Sequence, residues 1–143
     1  DTTTERNGNY IFVRSIYFRW NVLWNSSSGG GQQIRILVWI DKQQIADTSS
    51  IVDNVLASKT LHSPLTVINR GRFKVLRDFI IQMSDQRPTV VGNVWIPMRH
   101  HVKFNGTAAG DIQRGGIYVG VFSTSTTNLP VCNFYYRTMY HDN

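Results

Sequence analysis

Apolar and polar residues alternate with a period of two through most of the chain, which is the pattern of β-strands with one buried face. The clearest run covers residues 33–41, where every second position is a branched aliphatic residue: Ile34, Ile36, Val38 and Ile40. Further runs predict strands at 10–24, 73–84, 90–97, 100–105, 117–123 and 131–141, with a short strand beginning at Ile112. We expect an interruption near Pro97, because proline cannot donate a ladder hydrogen bond.

One segment between the early strands has a different spacing. Ile51 and Val55, and likewise Val52 and Leu56, lie four residues apart, as on one face of a helix. Ser50 stands where an N-cap is expected, and an acidic residue follows it three positions later. The pattern therefore predicts a single short helix over residues 50–58.

Composition favours strands over helices. Val, Ile and Thr make up 39 of the 143 residues, and β-branched residues favour strands. The length suits one domain spanning residues 1–143, and no internal repeat divides it. Seven or eight strands with one helix predict an all-β fold, with the eight-stranded antiparallel jelly-roll β-sandwich as its natural form.

Little in the sequence points to catalysis. The lone cysteine, Cys132, alternates with aromatic residues on a strand, which predicts a small core residue rather than a nucleophile. His100 and His101 are adjacent, so on a strand their side chains point to opposite faces and cannot share a metal. We predict no metal, no cofactor and no enzymatic activity. No run of 18 apolar residues is present, so we expect no membrane insertion.

The charge balance is more informative. The net charge is +6, and arginine is more frequent than lysine. Four cations cluster within eight positions, at Arg70, Arg72, Lys74 and Arg77. Two interpretations stay open: an ordinary solvated surface, or a face on which cations meet phosphates and aromatic rings stack on bases.

Four segments resemble the coat proteins of small icosahedral viruses, namely those of circular single-stranded DNA viruses and of the satellite tobacco necrosis virus type. Residues 34–43 resemble their "R-x-x-x-V-x-D-x-Q" strand, and residues 69–78 resemble their "N-R-x-R-F-x-V-L-x-D" strand. Residues 8–16 fit the opening strand and residues 115–119 fit a late one. The four matches follow one another in order across nearly the whole chain.

The resemblance implies a single jelly-roll capsid protein that assembles about sixty or more copies into a closed shell around a single-stranded DNA or RNA genome. It implies localisation in the virion, with assembly in the host nucleus or cytoplasm, and binding to a host receptor. The basic N-terminal arm usual in the family is absent from this chain, and we expect it to precede Asp1. Cations on the inner surface would then contact phosphates without reading sequence, and the candidates are Arg6, Arg14, Arg19, Arg72 and Lys74.

Two other functional classes compete with this interpretation. A β-sandwich recognition module for glycans or a receptor would use exposed aromatic residues, for example Trp20, Trp24 and Trp39. A metal-dependent enzyme on a jelly roll would need two or three histidines around one ion, and the sequence lacks such a ligand set.

Overall fold

Seven β-strands form two antiparallel sheets in the computed structural model, which describes residues 8–44, 54–58, 60–106 and 111–142. The strands are β1 (Tyr10–Leu23), β2 (Gln32–Asp41), β3 (Phe73–Met83), β4 (Thr89–Phe104), β5 (Ile112–Arg114), β6 (Gly116–Ser123) and β7 (Val131–Asp142). A 3₁₀ turn, Ser26–Ser28, follows β1. The predicted all-β, antiparallel class is confirmed.

Each sheet is built around one central strand. The four-stranded sheet has the order β5-β4-β1-β7, so that the long strand β1 pairs with β4 on one side and β7 on the other. The three-stranded sheet has the order β3-β2-β6. These pairings place the first strand beside the last, and the second strand beside the sixth.

The main core lies between the two sheets. It is built from the inward positions of the alternating strands predicted from the sequence, which are almost fully buried: Val13, Phe18, Val22, Ile34, Ile36, Ile81, Met83 and Val102. Cys132 packs against this core, as the alternation on β7 predicts. Burial raises the pKa of its thiol, which keeps the sulfur protonated and unsuited to nucleophilic attack.

A second, smaller core covers the other face of the three-stranded sheet. Leu37 and Trp39 of β2 pack there against Val55, Leu56 and Phe73. Strand β2 is therefore buried on both faces, which explains why its intervening positions are apolar as well.

Strand β4 runs without a break through Pro97, so the predicted interruption there is wrong. Its register against β1 shifts where Val13 is opposite His100 and Ser15 is opposite Pro97, which leaves one extra residue on β4. A bulge of this kind accommodates a residue that lacks an N–H group.

The predicted helix over 50–58 falls mainly outside the described residues. Its described end, residues 54–58, contains no α-helix, and Leu56 instead forms an isolated antiparallel bridge with Leu65. Val55 and Leu56 are neighbours in sequence and both are buried against the three-stranded sheet. The apolar residues at this end therefore belong to a segment that covers the three-stranded sheet, and not to one face of a helix.

Candidate nucleic-acid interface

The outward face of the four-stranded sheet carries the most distinctive surface of the molecule. Residues that alternate with the buried positions of β1, β4 and β7 point away from the core and form what we call the basic face. Its centre consists of Tyr17, Arg19, Trp95, Tyr135 and Arg137. Tyr17 is opposite Trp95 on one side and Arg137 on the other, while Arg19 is opposite Tyr135.

Cations and aromatic rings thus interleave across three adjacent strands. Trp95 is 47% exposed and Tyr135 is 66% exposed, so both rings are open to a ligand. None of the outward positions of β1, β4 and β7 carries a carboxylate. A surface with these groups can neutralise phosphates and stack bases without recognising their sequence.

Two depressions open where the basic face meets the bulge between β1 and β4. The smaller, of 620 Å³, is lined by Phe12, Arg14, Pro97, Met98, Arg99 and His141. One terminal guanidinium nitrogen of Arg14 lies 3.3 Å from Nε2 of His141. Arg99 lines both depressions, so they lie next to each other.

The larger depression has a volume of 750 Å³, and we call it the basic depression. Its charged and titratable side chains are Lys42, Arg99, His100, His101, Lys103 and Arg114, and none of its described lining residues is acidic. Lys103 lies directly opposite Arg114 in the β4–β5 pair. Like charges opposite one another destabilise a sheet, so this arrangement favours an anionic ligand.

His100 is one of the residues that line this depression. Its Nε2 lies 2.8 Å from the carbonyl oxygen of Gly115, and the ring is half-buried. Burial is the main cause that lowers the pKa of His100; the hydrogen bond to Gly115 opposes it, and the charges of Lys74 and His101 add to the lowering. At neutral pH the ring is therefore neutral and donates its Nε2 hydrogen to the carbonyl.

Gly115 is shaped by the same close approach. Its φ is +79°, and a Cβ atom there would lie 2.6 Å from the carbonyl oxygen of His101. Only glycine fits this position without backbone strain.

Two of the predicted binding cations belong to this surface. Arg19 lies at the centre of the basic face, and Arg14 lines the smaller depression. Arg6 lies outside the described residues.

Arg72 and Lys74 lie just before and within β3 in the other sheet, so they do not share a face with Arg19, although Lys74 is close enough to His100 for its charge to act on that ring. Their place on the inner surface of a shell stays a prediction. The Nε and one terminal nitrogen of Arg72 donate to the two carboxylate oxygens of Asp41, at 2.9 and 2.6 Å. The pKa of Arg72 is raised, chiefly by this hydrogen-bonded carboxylate. Lys74 is exposed and is opposite Ile40.

A second ion pair of the same kind connects β2 and β3. Arg35 donates to both carboxylate oxygens of Asp78, at 2.8 and 2.6 Å, and also to the carbonyl oxygens of Leu61 and Ser63, at 2.9 and 2.6 Å. Asp41 and Asp78 therefore pair across strands, and not with their sequence neighbours Lys42 and Arg77.

The sequence reasoning missed the cations that form the basic depression. Arg99, His101 and Lys103 share the outward parity of β4, so a period-two count would have placed them together. Lys42 and Arg114 belong to other elements, and only the tertiary fold brings them to the same place.

The aromatic residues proposed for a recognition module are not exposed. Trp39 is 2% exposed, and Trp20 and Trp24 pack against the main core. Trp95, Tyr135 and Tyr136 are the large aromatic residues that the described part of the chain presents to solvent most fully.

Within the described ranges, no cluster of three or more histidine, cysteine, aspartate or glutamate side chains is placed to hold a metal ion. The same residues include no helix with the length and apolar character needed to cross a membrane.

Comparison with known proteins adds no family. A scan of the chain against protein-family models finds no match, and a search of curated proteins finds no significant similarity.

Proposed function

We propose that this chain is a viral capsid protein that assembles into an icosahedral shell and holds a single-stranded genome against its basic face. The observation that carries this proposal is the interleaving of Arg19 and Arg137 with Tyr17, Trp95 and Tyr135 on a face without carboxylates. Phosphates and bases of a flexible single strand are the ligands that such a surface suits best.

The two ion pairs support the family resemblance. One motif contributes Arg35 and Asp41 on β2, and the other contributes Arg72 and Asp78 beside and on β3. Each arginine pairs with the carboxylate of the other motif. Two of the four motifs are thus joined by reciprocal ion pairs, which supports reading these two motifs together.

The strand pairing supports a jelly roll as the finer description of the fold. A jelly roll nests its antiparallel pairs, first strand with last and second with next to last. The pairs β1·β7 and β2·β6 follow that order. The pairs β1·β4, β2·β3 and β4·β5 depart from that order, so only the two outer pairs support the jelly roll.

Under this proposal the protein works by assembly and not by catalysis. Its partners are other copies of itself and the genome, contacted through phosphates and through unspecific stacking, and its place is the virion. Because Arg72 forms an ion pair with Asp41, we assign contact with the genome to the cations of the basic face.

The proposal is tested by measuring the nucleic acid that purified particles retain. We expect the double variant Arg19→Gln, Arg137→Gln to give particles with a lower ratio of absorbance at 260 nm to that at 280 nm. The matched control Arg70→Gln, Arg87→Gln removes the same charge from exposed positions outside the centre of the basic face and should keep the original ratio. Equal ratios in the two double variants would count against the basic face as the genome surface.

A further inference from the structure

The residues that line the basic depression favour a specific anionic ligand, in addition to the non-specific contact with nucleic acid that we propose for the basic face. Four cations, two histidines and Tyr10 surround a volume of 750 Å³. Binding pockets for small molecules have volumes of about 300–1,000 Å³, so a nucleotide-sized ligand fits.

Among the described residues, no carboxylate forms an ion pair with the cations of this depression. Lys103 is opposite Arg114, and its ammonium nitrogen lies 5.6 Å from the centroid of the Tyr10 ring. Arg114 donates its Nε to the carbonyl oxygen of Lys42 at 3.0 Å, and this contact does not neutralise its charge. In the described part of the chain, Arg99 makes no ion pair.

The geometry also supplies a surface for a base. Tyr10 is 44% exposed at the rim of the depression, next to Lys103. An exposed ring beside a cation can stack a base while the cation contacts the adjoining phosphate.

We infer that the basic depression binds the phosphates of a nucleotide, with Lys42, Arg99, Lys103 and Arg114 contacting the phosphate oxygens and Tyr10 stacking on the base. This inference rests on the proposed function, because it assigns a defined nucleotide site to the genome surface. The nucleotide comes either from the single strand or from a free nucleoside polyphosphate, and the chemistry that recognises it is the same.

The test compares two triple variants that lose equal charge. The first is Lys42→Gln, Arg99→Gln, Lys103→Gln, and the control is Arg70→Gln, Arg77→Gln, Arg87→Gln, which changes exposed cations that do not line this depression. Binding of a labelled oligothymidylate of about 10 nucleotides is followed by fluorescence anisotropy over a range of salt concentrations.

We expect the first triple variant to bind about 10- to 100-fold more weakly near 0.1 M salt, and its salt slope to be shallower by about 2, since each phosphate contact with a single strand contributes about 0.7. The control should retain the affinity and slope of the original chain. Tyr10→Leu should weaken oligonucleotide binding without altering the salt slope.

A competition arm identifies the source of the phosphates. Displacement of the oligonucleotide by thymidine triphosphate in the original chain, but not in the first triple variant, supports a site that also takes free nucleotides. If neither thymidine triphosphate nor inorganic triphosphate displaces the oligonucleotide, the result supports a site that needs the continuous strand.

The two proposals can fail separately. Equal affinities and slopes for the two triple variants overturn the nucleotide site even if the chain forms shells. A persistent difference between them, in a chain that never forms shells, supports the nucleotide site and overturns the capsid function.

Discussion

Replacing Arg35 by methionine should lower the free energy of unfolding more than any other substitution of a charged residue in the three-stranded sheet. Only the substitution of Arg72, which pairs with Asp41, should cost as much. Arg35 is 5% exposed and makes four hydrogen bonds, two to Asp78 and one each to the carbonyl oxygens of Leu61 and Ser63. Methionine keeps most of the side-chain length and removes every one of these donors.

The magnitude follows from what the substitution leaves behind. Two carbonyl oxygens on buried residues lose their donor, and Asp78, whose side chain is 32% exposed, loses its counter-ion. Breaking a buried ion pair by removing one partner costs about 3–5 kcal/mol. That loss is a large fraction of a total stability of about 5–15 kcal/mol.

Guanidinium unfolding followed by tryptophan fluorescence measures this loss, with Arg77→Met as the matched control. Arg77 is exposed and adjacent to Asp78, and its guanidinium donates to the carbonyl oxygens of Leu76, at 2.7 Å, and Trp95, at 3.5 Å. Because both bonds lie at the exposed surface, its substitution should change the free energy of unfolding by no more than about 1 kcal/mol. Arg35→Lys should not restore stability, because an ammonium group cannot reproduce the planar fork that reaches a carboxylate and two carbonyls together. If Arg35→Met and Arg77→Met lose equal stability, the reasoning about this ion pair is refuted.

Three further predictions concern groups around the other ion pair and the basic depression. Arg72→Met should cost about 3–5 kcal/mol, because it leaves the fully buried carboxylate of Asp41 unpaired by its arginine, and Asp41→Asn in the same denaturation assay should cost less. Gly115→Ala should lower the free energy of unfolding by about 1–3 kcal/mol, since φ is +79° and the new Cβ meets the carbonyl of His101; an unchanged unfolding midpoint would contradict this. The lowered pKa of His100 means that the unfolded chain takes up the proton first, so stability falls as pH drops from about 6.5 through the lower pKa of the folded state. His100→Gln should therefore lose less stability than the original chain between about pH 7.5 and about pH 5.5, and an equal loss in both would show that His100 contributes nothing to the pH dependence.

Much of the fold could be predicted because period-two alternation is a local signal. The alternating residues of 33–41 and 131–141 lie in strands β2 and β7 as expected. The predicted interruption at Pro97 is wrong because a bulge lets β4 continue past this residue. The bulge depends on the partner strand and leaves no local signal in the sequence. The helix prediction is wrong at the described end of 50–58, where Val55 and Leu56 lie in a segment that covers a sheet. Such a segment buries apolar residues without helical periodicity.

The candidate site could be predicted only in part. Arg14 and Arg19 belong to one long strand, but an odd separation would put them on opposite faces of a regular strand. The register shift between Val13 and Ser15 brings both to the outward side, and no local pattern predicts that shift. Arg72 looked like a free cation because its partner, Asp41, is 31 residues away in sequence and belongs to another strand. The basic depression joins cations from the end of β2, from β4 and from β5, and no spacing within one element reveals that meeting point.

The capsid function is tested most directly by sizing the purified chain with multi-angle light scattering while imaging the same sample by electron microscopy. Salt concentration and pH are varied to permit assembly. We predict closed, uniform particles with a mass in the megadalton range, consistent with about sixty or more copies of a 16.4 kDa chain. A stable monomer or trimer under every condition would contradict it.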